Sequence, residues 1–426
     1  MQEQKVDKFR NGLATWAGNF QKNIYMRAIG DAMVGMMPLM MVASIAALIN
    51  AINIGGSQAF MQSIGLSGFL RQINTMTLSV ISVYVAFLVS YKLGTALKHD
   101  PLVSGIMGLM SFLILTPIST GEGFNGIVFA NLGSGAMFVA MLGGVLGVKS
   151  YTFLVGKNIM LKLPDTVPPQ VGKAFSAILP GLITAALMGL IHLLASLTPQ
   201  GSLLGLTQHF VQTPFSMLGE NIVAAMILVA FMEVLWFFGI HGPITMMPIM
   251  MLLFQANQVA NLEAFATGEA LPFLFTTSFI LFNRGARSFA VAIHCMLCKS
   301  IHLKTVGKLG FVPTLFGISE PVRFGIPQPM NMLQFVPTVI TPAIALFSAW
   351  LLVQVGFLPF HNGVEIPLGT PIILSGLIAH GWQGIVAQLL QVVLVFIVYI
   401  PFMRAQDKIY VEQEFGTATA DGTELA

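Results

Sequence analysis

A chain of 426 residues with 55% apolar and only 9% charged residues, and a mean hydropathy of +0.82, is too long and too apolar for one ordinary soluble domain. The formal charge of +3 says little for a nucleic-acid partner, and two cysteines build no disulfide framework. Long apolar runs separated by short polar segments read as an all-α, polytopic integral membrane protein, so the first partner is the lipid bilayer. The N-terminal 19 residues are charged and lack an apolar core with a cleavage site, so no cleaved signal peptide is expected.

Taken in chain order, the runs predict about ten spans of roughly 20 residues each. They cover residues 28–50, 75–91, 101–118, 133–149, 177–197, 220–240, 243–260, 272–297, 332–355 and 383–403. Lys5, Lys8, Arg10, Lys22 and Arg27 precede the first span, and Lys92 and Lys98 follow the second. Lys149, Lys157, Lys162 and Lys173 follow the fourth, Lys299, Lys304 and Lys308 the eighth, and Arg404 and Lys408 the tenth. This count puts all of them on one side and predicts cytoplasmic termini, with Arg71 alone in a clear external loop. A glycine-rich connector is expected over 119–132, and a polar tail over 406–426. A seam near 198–219 divides an N-terminal five-span half (1–200) from a C-terminal five-span half (201–426), which carries most of the embedded polar residues.

Those polar residues are the candidates for chemistry, because a charge at membrane depth is costly unless paired or facing a cavity. Glu320 and Arg323 lie in Phe316-Gly-Ile-Ser-Glu-Pro-Val-Arg-Phe-Gly325, where Pro321, Pro327 and Pro329 rule out a plain spanning helix. Broken backbone at that depth survives where it is buried in protein or lines a cavity. Glu320 can accept a hydrogen bond from a substrate hydroxyl and take its proton, or pair with Arg323 one helical turn on. Gln328 and Asn331 follow at a spacing suited to the same cavity. The sixth run ends in Glu233-Val-Leu-Trp-Phe-Phe-Gly-Ile-His-Gly-Pro243. His241 there either donates to a sugar hydroxyl or phosphoryl oxygen or caps a broken helix. Trp236 offers a face to a pyranose ring or anchors an interface. Glu233, eight residues before His241 in the sequence, is expected on the same helix side as that histidine. Trp382 and Gln383, beside His380 in Ala379-His-Gly-Trp-Gln-Gly384, suit stacking and amide contacts to a sugar. Cys295 and Cys298 form an isolated C-x-x-C in an apolar run and read as packing residues. No phosphate-binding loop for an ATP motor and no metal-ligand spacing occur, and no cofactor is implied.

Taken together, Trp236–Gly242, Lys162-Leu-Pro-Asp-Thr-Val-Pro-Pro169 and Lys308–Gly325 resemble the membrane (IIC) component of bacterial phosphotransferase-system permeases of the lactose/cellobiose/diacetylchitobiose type. Asp31-Ala-Met with Met37-Pro38, Asn261-Leu-Glu-Ala-Phe-Ala-Thr-Gly268 and Thr370-Pro-Ile-Ile-Leu-Ser-Gly376 extend the resemblance over nearly the whole chain. It implies a multi-pass protein of the bacterial cell membrane, a homodimer of ten-span subunits with re-entrant segments, with the sugar held by the C-terminal half. It also implies a β-linked disaccharide carried inward and phosphorylated on its 6-hydroxyl by the partner IIB, itself served by IIA. This chain is then no phosphate donor on its own. Position by position, the family's histidine and glutamate fall on His241 and Glu320, at that hydroxyl, as catalytic residues. Trp236, Glu233, Arg323, Gln328, Trp382 and Gln383 are the expected sugar-binding residues.

The chain departs from its relatives at three places. Ser319 stands where they usually have Asn, Arg323 replaces an aliphatic residue, and Asn283-Arg-Gly-Ala-Arg-Ser-Phe289 adds Arg284 and Arg287. Either these arginines serve a more polar or anionic substrate or the incoming phosphoryl group, or they pair with Glu320, Glu269 or Glu263. An ion-coupled secondary transporter using Glu233 and Glu320, and a transport-inactive sensor of the same fold, are the other readings.

Overall fold

The computed structural model describes residues 11–12, 15–16, 18–19, 22–52, 55–121, 124–161, 172, 175–212, 221–367 and 369–420. The segment Lys162–Pro169, and the cations Lys5, Lys8, Arg10 and Lys173, lie outside the described residues. The chain divides into two compact units, one of Asn19–Leu218 with Met247–Pro272, the other of Met1–Gly18, Gly219–Met246 and Phe273–Ala426. Met247–Pro272 thus groups with the N-terminal segments, and Met1–Gly18 with the C-terminal ones.

In the first unit the leading apolar run forms two helices, α1 (Ile24–Gly35) and α2 (Met37–Ala51). Asn23 caps α1 through the amides of Tyr25 and Met26, and Pro38 opens α2, where its missing N–H costs nothing. α3 (Ser57–Ser63) leads to α4 (Leu66–Thr77) and α5 (Ile81–Ala96), which bend by 41° and make the second run begin earlier than expected. α6 (Pro101–Leu115) follows an Asp100 cap. β1 (Ser119–Gly121) and β2 (Phe124–Gly126) pair antiparallel, so part of the connector is a hairpin. α7 (Met137–Gly156), α8 (Ile178–Ser196) and α9 (Leu203–Thr207) complete this stretch. Small residues let α5, α6 and α7 approach closely: Gly94 meets Ser104, Gly108 and Gly144 meet Ser90, and Gly147 meets Ser111. Without water between helices, such close van der Waals packing is the main source of association in lipid.

In the second unit α10 (Ile222–Phe237), capped by Asn221, precedes α11 (Gly242–Thr267), whose first turn belongs here and whose remainder belongs to the first unit. The expected eighth span, 272–297, is two helices, α12 (Thr277–Phe282) and α13 (Arg287–Leu297). The chain breaks because Gly285 (φ +85°) and Ala286 (φ +44°) take left-handed conformations. A side chain at Gly285 would come within 2.7 Å of Ala345 and 2.8 Å of Val395, so only glycine passes there. α14 (Ile301–Leu315), α15 (Glu320–Gly325), α16 (Met332–Gln354) and α17 (Ile372–His380) follow. α18 (Trp382–Ala420) is a single helix, so much of the expected polar tail is helical. One apolar core joins α13, α14, α15, α16 and α18 through Val291, Cys295, Leu303, Val322, Ala345, Val395 and Tyr399. Cys295 and Cys298 are free and buried within it.

Five helices among the described residues are long and apolar enough to cross a membrane, or six if the bent α4–α5 pair is one span. α6 and α10 are shorter apolar helices. On α8, Leu182, Leu190, Leu193 and Leu194 are all exposed, an apolar face wider than water tolerates and suited to lipid.

Candidate functional site

The site is built inside the second unit, around the C-terminal end of α10. Glu233 lies one turn before that end and is 3% exposed. Its carboxylate accepts two hydrogen bonds from Arg323 Nη2, at 3.0 and 3.2 Å, and Arg287 Nη2 stands 3.1 Å from Oε2. Arg284 also lies within electrostatic reach of Glu233. Three arginines thus share one buried carboxylate, which leaves a formal excess of two positive charges.

This pairing corrects the expectation for the arginines. Arg287 and Arg323 turn to Glu233, not to Glu320, Glu269 or Glu263. Glu263 instead accepts a hydrogen bond from Ser79 Oγ at 2.7 Å within the first unit. Sequence separation hid the contact, since Arg323 is ninety residues from Glu233. One signal was present: Glu233 is the sole acid in the apolar stretch 222–240, and a lone embedded acid needs a cation. The acid brings together the α10 end, the α12–α13 break and the short α15.

Arg323 has a second function in the arrangement. Its guanidinium stacks over the Trp236 ring at 4.5 Å, and its Nε donates to Ser319 Oγ at 3.1 Å. The planar guanidinium thereby makes an ion pair and a cation–π contact at once, a geometry lysine does not reproduce. Trp236 meets His241 on ring centroids 4.4 Å apart. α10 stops at Phe237 and Gly239 turns the chain at φ +80°, so Glu233 and His241 are not on one helix. The expected shared helix face is replaced by a fold-back that places the histidine on the tryptophan.

His241 Nδ1 accepts the amide of Ile244 at 3.2 Å, capping the first turn of α11. That acceptor role puts the proton of the neutral ring on Nε2 and leaves it as a donor for a ligand. Capping and ligand binding, alternatives in the sequence, use different nitrogens. Glu320 opens α15, followed by Pro321 at a position that needs no N–H. It is half-buried, unlike Glu233, and its charge acts on His241, as do those of Arg323 and Arg284. With Arg323 committed elsewhere, Glu320 remains available to a hydroxyl.

Gln328 is buried and its side-chain oxygen has no partner, while its amide donates to Arg323 O at 2.8 Å. Asn331 caps α16 through Leu333 N and donates to Gln406 at 3.0 Å, so it serves the scaffold. Trp382 is 60% exposed at the start of α18, and its ring contact is with Phe357. Gln383 stands beside it on the same first turn. Neither makes a contact that joins it to the Glu233 cluster. His380 is buried and donates through Nδ1 to Pro359 O at 2.8 Å.

A predominantly helical architecture with lipid-suited faces and a buried polar site at interrupted helices is that of a membrane permease. Residues 30–342 match the phosphotransferase system EIIC family, and the chain belongs to that family. It is an EIIC component of a phosphotransferase system. It is 31% identical to the oligo-β-mannoside-specific EIIC component of Bacillus subtilis (strain 168), over 96% of this chain and 95% of that one. It is 29% identical to the cellobiose-specific EIIC component of Geobacillus stearothermophilus, over 92% of each. The crystal structure of the transporter ChbC, the IIC component from the N,N'-diacetylchitobiose-specific phosphotransferase system, is similar with a TM-score of 0.87 and 30% identity. That likeness covers 95% of this chain and 98% of ChbC.

Proposed function

We propose that this permease carries a β-linked disaccharide of the cellobiose, chitobiose or lactose type across the bacterial plasma membrane, where phosphorylated IIB, served by IIA, phosphorylates its 6-hydroxyl. The subunit has about ten spans with cytoplasmic termini, works as a homodimer and holds the sugar in its C-terminal half. Relatives of full-length coverage named for cellobiose, oligo-β-mannoside and diacetylchitobiose support the sugar class.

One observation carries the residue assignment: Trp236 packs between His241 and Arg323, and the short helix that holds Arg323 begins with an acid that Arg323 leaves alone. An imidazole N–H braced by the buried Trp236, with a carboxylate whose charge acts on it, suits one reacting sugar hydroxyl. Glu320 orients the hydroxyl and takes its proton as phosphate arrives, while His241 Nε2 stabilises the charge on the phosphoryl oxygens. Gln328 adds an unfilled acceptor. Trp382 and Gln383 would contact the distal part of the sugar. Glu233 is committed to arginines, which makes it a poor coupling acid for an ion-driven carrier.

Glu320→Gln tests the assignment in purified protein supplied with phosphorylated IIB. Sugar binding should survive, with phosphorylation falling roughly a hundredfold or more, the range for a lost general base. Undiminished phosphorylation would remove Glu320 from its role.

A further inference from the structure

The acidic and aromatic residues of the last helix beyond its apolar part have no place in the mechanism above. α18 has 39 residues and so runs about 58 Å at 1.5 Å per residue, well beyond the roughly 30 Å of a hydrocarbon core. Its first charged residue is Arg404. Past that point, Asp407 accepts the amide of Lys299 on both oxygens, at 3.0 and 2.9 Å, and that of Ser300 at 2.8 Å. Two turns later, Glu414 accepts the amides of Ile301 at 3.0 Å and His302 at 2.9 Å, and the Ser300 hydroxyl at 2.6 Å. The opening amides of α14, which no bond within that helix can satisfy, are thus taken by two carboxylates more than a hundred residues away. Both negative charges sit where the helix dipole favours them.

The same contact reaches the site. His302, whose amide Glu414 holds, stacks on Tyr410 at 4.8 Å with planes 16° apart. Its Nε2 donates to the carbonyl of Gly325 at 2.8 Å. Gly325 is the last residue of α15, the six-residue helix that begins with Glu320. So short a helix has almost no stability of its own and depends on what holds its ends. Its far end is pressed on α14: a side chain at Gly325 would come within 2.6 Å of Val306.

We propose that Asp407, Tyr410 and Glu414 form a clamp that, through His302, positions Glu320. His302 is the positioning residue, because it bonds both to the clamp and to α15. The inference rests on the role given to Glu320 above. It makes the C-terminal part of α18 a determinant of phosphotransfer rate without contact with sugar.

His302→Leu, which cannot donate to Gly325, and His302→Gln, which can, separate positioning from general structure. With phosphorylated IIB, His302→Leu should lower kcat by about tenfold or more while KM for the sugar stays within about twofold, as expected of a misplaced catalytic group. His302→Gln should restore most of the rate. A His302→Leu protein with wild-type kcat, or a His302→Gln protein as slow as His302→Leu, would overturn the clamp. Amide hydrogen exchange supplies a readout that needs no phosphotransfer. The amides of Arg323, Ile326 and Gln328 should exchange faster in His302→Leu and in Glu414→Ala than in wild type, and unchanged exchange would also overturn the proposal. If wild-type protein phosphorylates no sugar, the functional reading falls and the exchange experiment still decides the clamp.

Discussion

Glu233 organises the buried arginine cluster. Removing two charges from water costs several kcal/mol each, and the loss is offset only when partners are close and well oriented. Here the carboxylate has two arginine partners within 3.2 Å, so losing it leaves two buried cations with no anion. Glu233→Gln should therefore destabilise the protein by about 3–5 kcal/mol, the cost of breaking a buried pair from one side. Thermal unfolding in detergent reads this directly, and a protein as stable as wild type would show that the arginines find other anions. At this scale the sequence revealed identities more readily than partnerships. His241, Trp236, Glu320 and Arg323 all stood out as polar or aromatic residues in apolar, broken segments. Which acid the arginines choose depends on how three distant segments converge, and no local spacing encodes that.

At the scale of elements, the break around Pro321, Pro327 and Pro329 was legible, whereas the interruption at Met36 inside the run 28–50 and the breaks made by tertiary packing were not. Pro38 and Pro101 open helices, and Asn23, Asp100 and Asn221 cap them, as their chemistry dictates. The α12–α13 break is different. Asn283-Arg-Gly-Ala-Arg287 lies inside an apolar run of spanning length, and its one glycine gives only a weak signal. Gly285 is required because Ala345 of α16 and Val395 of α18 crowd it, which only the assembled core reveals. Gly285→Val would meet both the positive φ and those two neighbours, so it should fold poorly. Size-exclusion chromatography after extraction should show mostly aggregated protein, whereas a monodisperse peak at wild-type yield would mean the break tolerates a side chain. The contacts of the polar C-terminal segment were hidden for a related reason. Its polarity suggested a tail, but in a helix its carboxylates at 407 and 414 reach the start of α14.

For the whole molecule, membrane residence was readable from composition alone, since few charges and long apolar runs leave no other solvent. The family was readable from the joint order of short motifs, and residues 30–342 carry that match. The grouping of Met247–Pro272 with the N-terminal segments was not readable, because α11 is continuous through the boundary. Its buried Gln255, Asn257, Gln258 and Asn261 make it far more polar than a lipid-facing span, which marks a helix surrounded by protein. In the proposed function the permease couples passage of a sugar to its phosphorylation, with the phosphoryl group supplied from outside the chain. Uptake into vesicles containing the protein tests that coupling most directly, with phosphorylated IIB present or absent inside and with or without an imposed ion gradient. The account predicts that disaccharide accumulates only as its 6-phosphate and only with phosphorylated IIB. Accumulation of unmodified sugar driven by an ion gradient would contradict it.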